Sequence, residues 1–257
     1  MKTNTIQTIR KVTHRLAALL ALVAAPSAFA ASQIWSNAPT SSAWVTGANW
    51  IGNAAPGGIN LTGTTLNNDV ATFNTPLAGG IGGAGNPIIV DDATVAAARS
   101  RHLGGLTFDG VDCGPYVIYS PSVATLPAAG IPATGILFVS HNQTTRINAA
   151  VTNSQTILVP MRVRLPNSTA GQYNLVNDST NPAANLIINT IIHDGANTRA
   201  TTFNLRGSNT GNNMVTNLSE GAGNATGGFT KTGTGTWMIA GTSVFPAASP
   251  LNINEGT

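Results

Sequence analysis

The sequence predicts an all-β chain, and three observations predict it. Short apolar segments of about four to seven residues recur at intervals of roughly ten to twenty, each closed by Gly, Pro, Asn or Asp. No run has the length and 3.6-residue period of a helix that would cross between parallel strands in a βαβ unit. Charged residues make up only 8% of the chain, about a third of the usual share, and Gly, Asn, Thr, Ser and Ala fill the gap. That composition suits strand stacks in which Asn and Thr ladders repeat along an axis. Disorder needs low hydrophobicity with high charge, and 42% hydrophobic residues argues against it. Period-two alternation by itself fits a stacked coil of parallel strands and a β-sandwich equally well.

Residues 1–30 read as a signal peptide. Lys2, Arg10, Lys11 and Arg15 form a basic start, Leu16 to Ala25 is an apolar run, and Ala28-Phe29-Ala30 is an A-x-A cleavage site. The apolar run is too short to span a bilayer, so no integral membrane span is expected in the mature chain. Four of the twelve Lys and Arg leave with this segment, so eight basic residues face nine acids in the remainder. The basic pI belongs to the leader, and with no basic patch left nucleic acid is not an expected partner. Cys113 is the single cysteine, which excludes an intrachain disulfide.

Residues 31–75 form a Trp-rich block with Trp35, Trp44 and Trp50, then Pro56-Gly57-Gly58, then Asp69 to Phe73. Trp44, Trp50 and Phe73 are expected to cover the open end of a core. The alternative is an exposed sugar-stacking face on the three tryptophans. Residues 76–226 form the body. Gly80 to Gly85 matches G-x-G-x-x-G, but the β-like Ile88-Ile89-Val90 follows where a dinucleotide site needs a helix. Asp91-Asp92 and Asp109/Asp112 are the close acid pairs. Asp109 before Gly110 reads as turn chemistry and not as a site. Ala93 to His102 suits a short helix, with a strand as the alternative. Further strands are expected at Ile136–Val139, Thr156–Val159, Tyr173–Val176, Leu186–Ile192, Thr201–Leu205 and Met214–Leu218. Arg162 and Arg164 share one side of a strand between Pro160 and Pro166 and read as a solvated edge.

Catalytic signals are scarce. His102, His141 and His193 share no metal-ligand spacing, no G-x-S-x-G elbow exists, and Glu220 and Glu255 are the only glutamates. No catalytic residue, metal ligand or cofactor is assigned.

Residues 227–257, GGFTKTGTGTWMIAGTSVFPAASPLNINEGT, contain two short strands. One is Thr236 to Ala240, with Trp237 and Ile239 on one face; in the other, Leu251 and Ile253 oppose Asn252 and Asn254. Such a unit cannot bury its own apolar face and must stack on a neighbour. It resembles the autotransporter-associated β-strand repeat of bacterial passenger domains. The pattern G-[LF]-T-K-x-G-x-G-T-[LW]-x-[LI]-x-G, with a later strand ending in G-T, is carried by Gly228, Thr230, Lys231, Gly233, Gly235, Thr236, Gly241, Gly256 and Thr257. Ser243-Val244-Phe245-Pro246 departs from the family's spacer. The repeat stops at Thr257 where family members run on, which reads as truncation. The W-x4-N-W-x-G arrangement from Trp44 and the run Leu103 to Tyr119 are similar to other regions of such passengers.

The resemblance implies a right-handed parallel β-helix (a solenoid) following the signal peptide, with a β-sandwich as the alternative fold. It implies a secreted or cell-surface structural passenger that presents loops for adhesion to surface glycans or other cells. Folding outside the membrane would help draw the chain across, and a downstream or separate outer-membrane translocator is implied. The alternatives are a carbohydrate-binding module or a β-helical polysaccharide lyase or hydrolase.

Overall fold

The computed structural model describes residues 31–58, 67–90, 100–121, 135–164, 171–192, 201–219, 227–241 and 251–257. The leader, with Ala28 and Ala30, lies outside these, as do Asp91-Asp92, His193, Glu220 and the spacer from Ser243 to Pro246. No helix among the described residues is long and apolar enough to cross a membrane.

Seventeen strands are described. The first six are β1 (Gln33–Ile34), β2 (Val70–Phe73), β3 (Ile88–Ile89), β4 (Arg101–Leu103), β5 (Gly105–Phe108) and β6 (Val117–Tyr119). Next come β7 (Leu137–Ser140), β8 (Thr144–Ile147), β9 (Gln155–Ile157), β10 (Met161–Arg164), β11 (Gly171–Asn177) and β12 (Leu186–Ile192). The last are β13 (Thr201–Arg206), β14 (Asn213–Ser219), β15 (Gly227–Lys231), β16 (Trp237–Ile239) and β17 (Leu251–Ile253).

They form an eight-stranded sheet in the order β1-β2-β5-β8-β11-β13-β15-β17 and a nine-stranded sheet in which β3-β6-β9-β12-β10-β7-β4 form one path. In the second sheet β14 pairs with β12, and β16 with β14. Every ladder between named strands is parallel. A sandwich of antiparallel sheets has no such ladders. Parallel neighbours need a long crossover, and here the crossover is the excursion through the other sheet. β12 explains the branching: Leu186 to Ile188 pair with β9, while Ile191 and Ile192 pair with β10. One strand thus serves two runs of neighbours that are separate strands elsewhere.

Parallel, in-register pairing sets like on like. In the first sheet Ala71, Leu106, Thr145, Leu175, Leu205 and Lys231 form one line of register partners. Phe73 stacks on Phe108 at 5.3 Å between ring centroids, and Phe203 on Phe229 at 5.4 Å. Tyr173 is the register partner of Phe203, and its hydroxyl meets Thr145 Oγ1 at 2.9 Å inside the core; burial raises its pKa. The intervening side chains point outward, where Asn204 Nδ2 donates to Asn174 Oδ1 at 3.0 Å across one ladder.

The turn out of β11 is polar yet buried. Asn177 Nδ2 donates to Ala184 O at 2.7 Å and to Asn213 Oδ1 at 2.6 Å. Asn213 Nδ2 donates to Thr236 O at 2.9 Å, and Asn209 Nδ2 to Asn181 O at 2.8 Å. These amides saturate backbone groups that a tight corner strips from the ladders. Gly207, at φ +108, follows because a Cβ there would lie 2.0 Å from Asn177 O.

Several expectations are amended. β8, Thr144–Ile147, was not anticipated, since its TTRI sequence carries a single large apolar residue. Residues 91–99 of the expected helix lie outside the description, and Arg101 to Leu103 is a strand. Arg162 is not on a solvated edge: β10 is flanked by β7 and β12, and Arg162 is 8% exposed with its guanidinium 5.9 Å from the Phe138 ring centroid.

Phe203→Ala removes the ring between Tyr173 and Phe229 and is expected to cost about 3–5 kcal/mol. Denaturant unfolding measures it, and a loss under about 1 kcal/mol would contradict the stacked core.

Candidate functional site

The C-terminal motif builds one corner. Leu205 pairs with Lys231, so a lysine occupies the next position of an otherwise largely apolar inward line. Its stem continues that line and its head reaches the turn beyond β15. Lys231 is 3% exposed, and Nζ donates to the carbonyls of Thr232 at 3.2 Å, Glu255 at 3.1 Å and Gly233. Three acceptors match the three protons of an ammonium. Burial lowers the Lys231 pKa, and the Glu255 charge opposes that shift.

The glycines allow the carbonyls to converge. Gly233 and Gly256 have φ of +80 and +72, and a Cβ on Gly256 would lie 2.6 Å from both Gly233 O and Gly235 O. Glu255 Oε2 accepts from Gly233 N at 3.2 Å, Thr257 O accepts from Trp237 N at 2.7 Å, and the Thr236 and Thr257 hydroxyls meet at 3.2 Å. Lys231, Gly233, Gly235, Thr236, Gly256 and Thr257 therefore lie together. Gly228 and Thr230 sit upstream on β15, paired with Thr202 and Asn204. Gly241 lies beyond β16 at φ +73, against Thr216 O. The motif is a clasp that fastens β17 and the following turn to β15 and β16.

A groove of about 590 Å³ runs beside the clasp. Arg146, Val176 and Arg206 are successive register partners on the outer side of the first sheet. The two arginines thus stand two strands apart, roughly 9.6 Å at the backbone. Asp178 and Glu255 add carboxylates, Ser208, Thr232 and Thr234 add hydroxyls, and the Gly207 and Gly233 backbones complete the lining. Arg146 Nε lies 3.8 Å from Asp178 Oδ2, both side chains being well exposed. Sequence reading did not find Arg146 and Arg206, because they are 60 positions apart and only strand register makes them neighbours.

The other candidates are sequestered. Trp35, Trp44 and Trp50 are at most 1% exposed and pack with Phe73, so the sugar-stacking face is not presented. Indole donors go to backbone: Trp44 Nε1 to Pro56 O at 3.0 Å and Trp50 Nε1 to Trp44 O at 2.8 Å. Burial pushes the Cys113 thiol up to about 12, which denies it thiolate reactivity. His102 Nε2 meets Ser140 Oγ at 3.0 Å, but both are buried and Ser140 Oγ is held by Asn67 O. Asp109 Oδ1 accepts from Gly110 N, as turn chemistry requires. Among the described residues no group of three His, Cys, Asp or Glu is placed to hold a metal ion.

Lys231→Met keeps the stem and leaves three carbonyls without their donor, at an expected cost of about 1–3 kcal/mol; hydrogen exchange should show protection lost at β15 and β17 and kept at β5. In the parent, the unfolded chain binds the extra proton between the lowered folded pKa and the ordinary value of 10.5. Clasp stability should therefore rise with pH through that window and show no pH dependence from Lys231 below it. The Met variant should lose the rise, measured by exchange-corrected protection or alkaline thermal melts.

Compared with family profiles, characterised proteins and solved structures, the chain returns no match.

Proposed function

We propose that the chain is a secreted or cell-surface structural passenger, a right-handed parallel β-helix whose rod presents side chains and loops for adhesion. The observation that carries this reading is the order of pairing in the first sheet. From β5 onward each of its strands pairs with the next one in chain order to join it, after an intervening visit to the second sheet. A chain that winds in this way gains stability rung by rung and needs no disulfide. The resemblance of residues 227–257 to passenger repeats agrees with their clasp geometry, since a tandem unit must lock each turn onto the last. The A-x-A site ending at Ala30 supplies the export signal. A translocator, downstream or separate, would deliver the chain to the surface, and its reading as an adhesin needs no cofactor.

Expression of the full chain in a Gram-negative host tests this. N-terminal sequencing should find the mature chain starting at Ala31, and intact cells or medium should expose it to added protease. An unprocessed chain confined to the cytoplasm would sink the reading.

A further inference from the structure

Two arginines and two carboxylates line the groove beside the clasp, and the Lys231 ammonium lies buried behind it. The Lys231 ammonium donates to the Glu255 backbone carbonyl at 3.1 Å, and the Glu255 charge acts on it. Arg146 is matched by Asp178 at 3.8 Å. Arg206 is exposed and makes no ion pair with a described residue, although it lines the same groove. Its backbone is held in place: the Arg206 carbonyl accepts the Trp237 indole N–H at 3.1 Å, and Val176 pairs with it across the ladder. Ser208, Thr232 and Thr234 line the same groove and bring hydroxyls to it. On the outer face of the same strand, Asn204 extends the polar surface toward Asn174 and Gln172.

We propose that this groove binds a carboxylate-bearing glycan, with Arg206 holding one sugar carboxylate and the hydroxyl and amide surface meeting the sugar hydroxyls. The proposal rests on the adhesion reading above and names the ligand class. A guanidinium presents parallel donors to a carboxylate, which a lone ammonium cannot. Uncharged hydroxyl and amide neighbours suit a polyol, whereas a nucleic acid would need several unmatched cations. An open groove crossing several strands admits a chain segment more readily than a small enclosed metabolite. The exposed Arg146–Asp178 pair is weakly held, so Arg146 stands as a second anchor two strands along.

Calorimetric titration of the mature chain with an oligogalacturonate, and with the same oligomer after carboxyl reduction, tests the proposal. The acidic oligomer should bind and the reduced one should bind at least about tenfold more weakly. Arg206→Gln should lose about tenfold or more, and Arg206→Lys should lose less than that. Asp178→Asn should tighten binding by releasing Arg146, a gain that a merely structural role for these residues does not predict. Circular dichroism of each variant should match the parent, because both side chains are exposed. Failure of the acidic oligomer to bind, equal binding of the reduced oligomer, or an unchanged Arg206→Gln would each overturn the proposal. So would displacement by inorganic phosphate at the same concentration, which marks a bare anion patch. These measurements use purified protein, so their outcome is separable from that of the export experiment.

Discussion

Parallel pairing between successive strands of the first sheet is the constraint on which the rest depends. A parallel ladder in register places each residue beside its counterpart on the next strand, so an inward position must suit a whole line of neighbours. Phe73 on Phe108 and Phe203 on Phe229 satisfy that demand with stacked rings. Where the chain must leave the sheet, apolar stacking cannot supply hydrogen-bond partners. The corner after β11 accordingly fills with Asn177, Asn209 and Asn213, whose amides each serve several backbone groups.

The same constraint makes the two ends of the stack unlike its middle. A terminal rung has a neighbour on one side only. At the β1 end Trp44 and Trp50 meet Phe73 edge-to-face and Trp35 meets it at a tilt, and the Trp44 and Trp50 indole donors are taken up locally by carbonyls. Large rings whose N–H groups find carbonyls close by can close a core at little polar cost. At the other end Leu251 and Ile253 are in register with Phe229 and Lys231 yet remain 50% and 63% exposed.

Lys231 joins the two halves of the functional picture. Inside, it carries an inward line on to Ile253 and ties three carbonyls together; outside, Glu255, whose carbonyl it meets, lines the groove that contains Arg206. Because Glu255 is engaged with the clasp, the groove's charge is set by structure at one wall and left open at another. The pair of parallel sheets thereby carries a polar surface whose residues are placed by strand register, without any residue being displaced from the core.

Short-range chemistry was readable from the sequence alone. β12 coincides with the expected strand, and Asp109-Gly110 turns as Asp-Gly pairs do. The burial of Trp44, Trp50 and Phe73 followed from the need to cover the open end of a stacked core. Strand register was not readable, because it depends on contacts between residues tens of positions apart. It placed Arg162 between two strands, made a strand of Thr144 to Ile147, and brought Arg146 and Arg206 to one groove. Local sequence determines which residues extend and which turn; only strand pairing in the folded chain decides which extended segments become neighbours, since that choice is made by the summed fit of whole ladders.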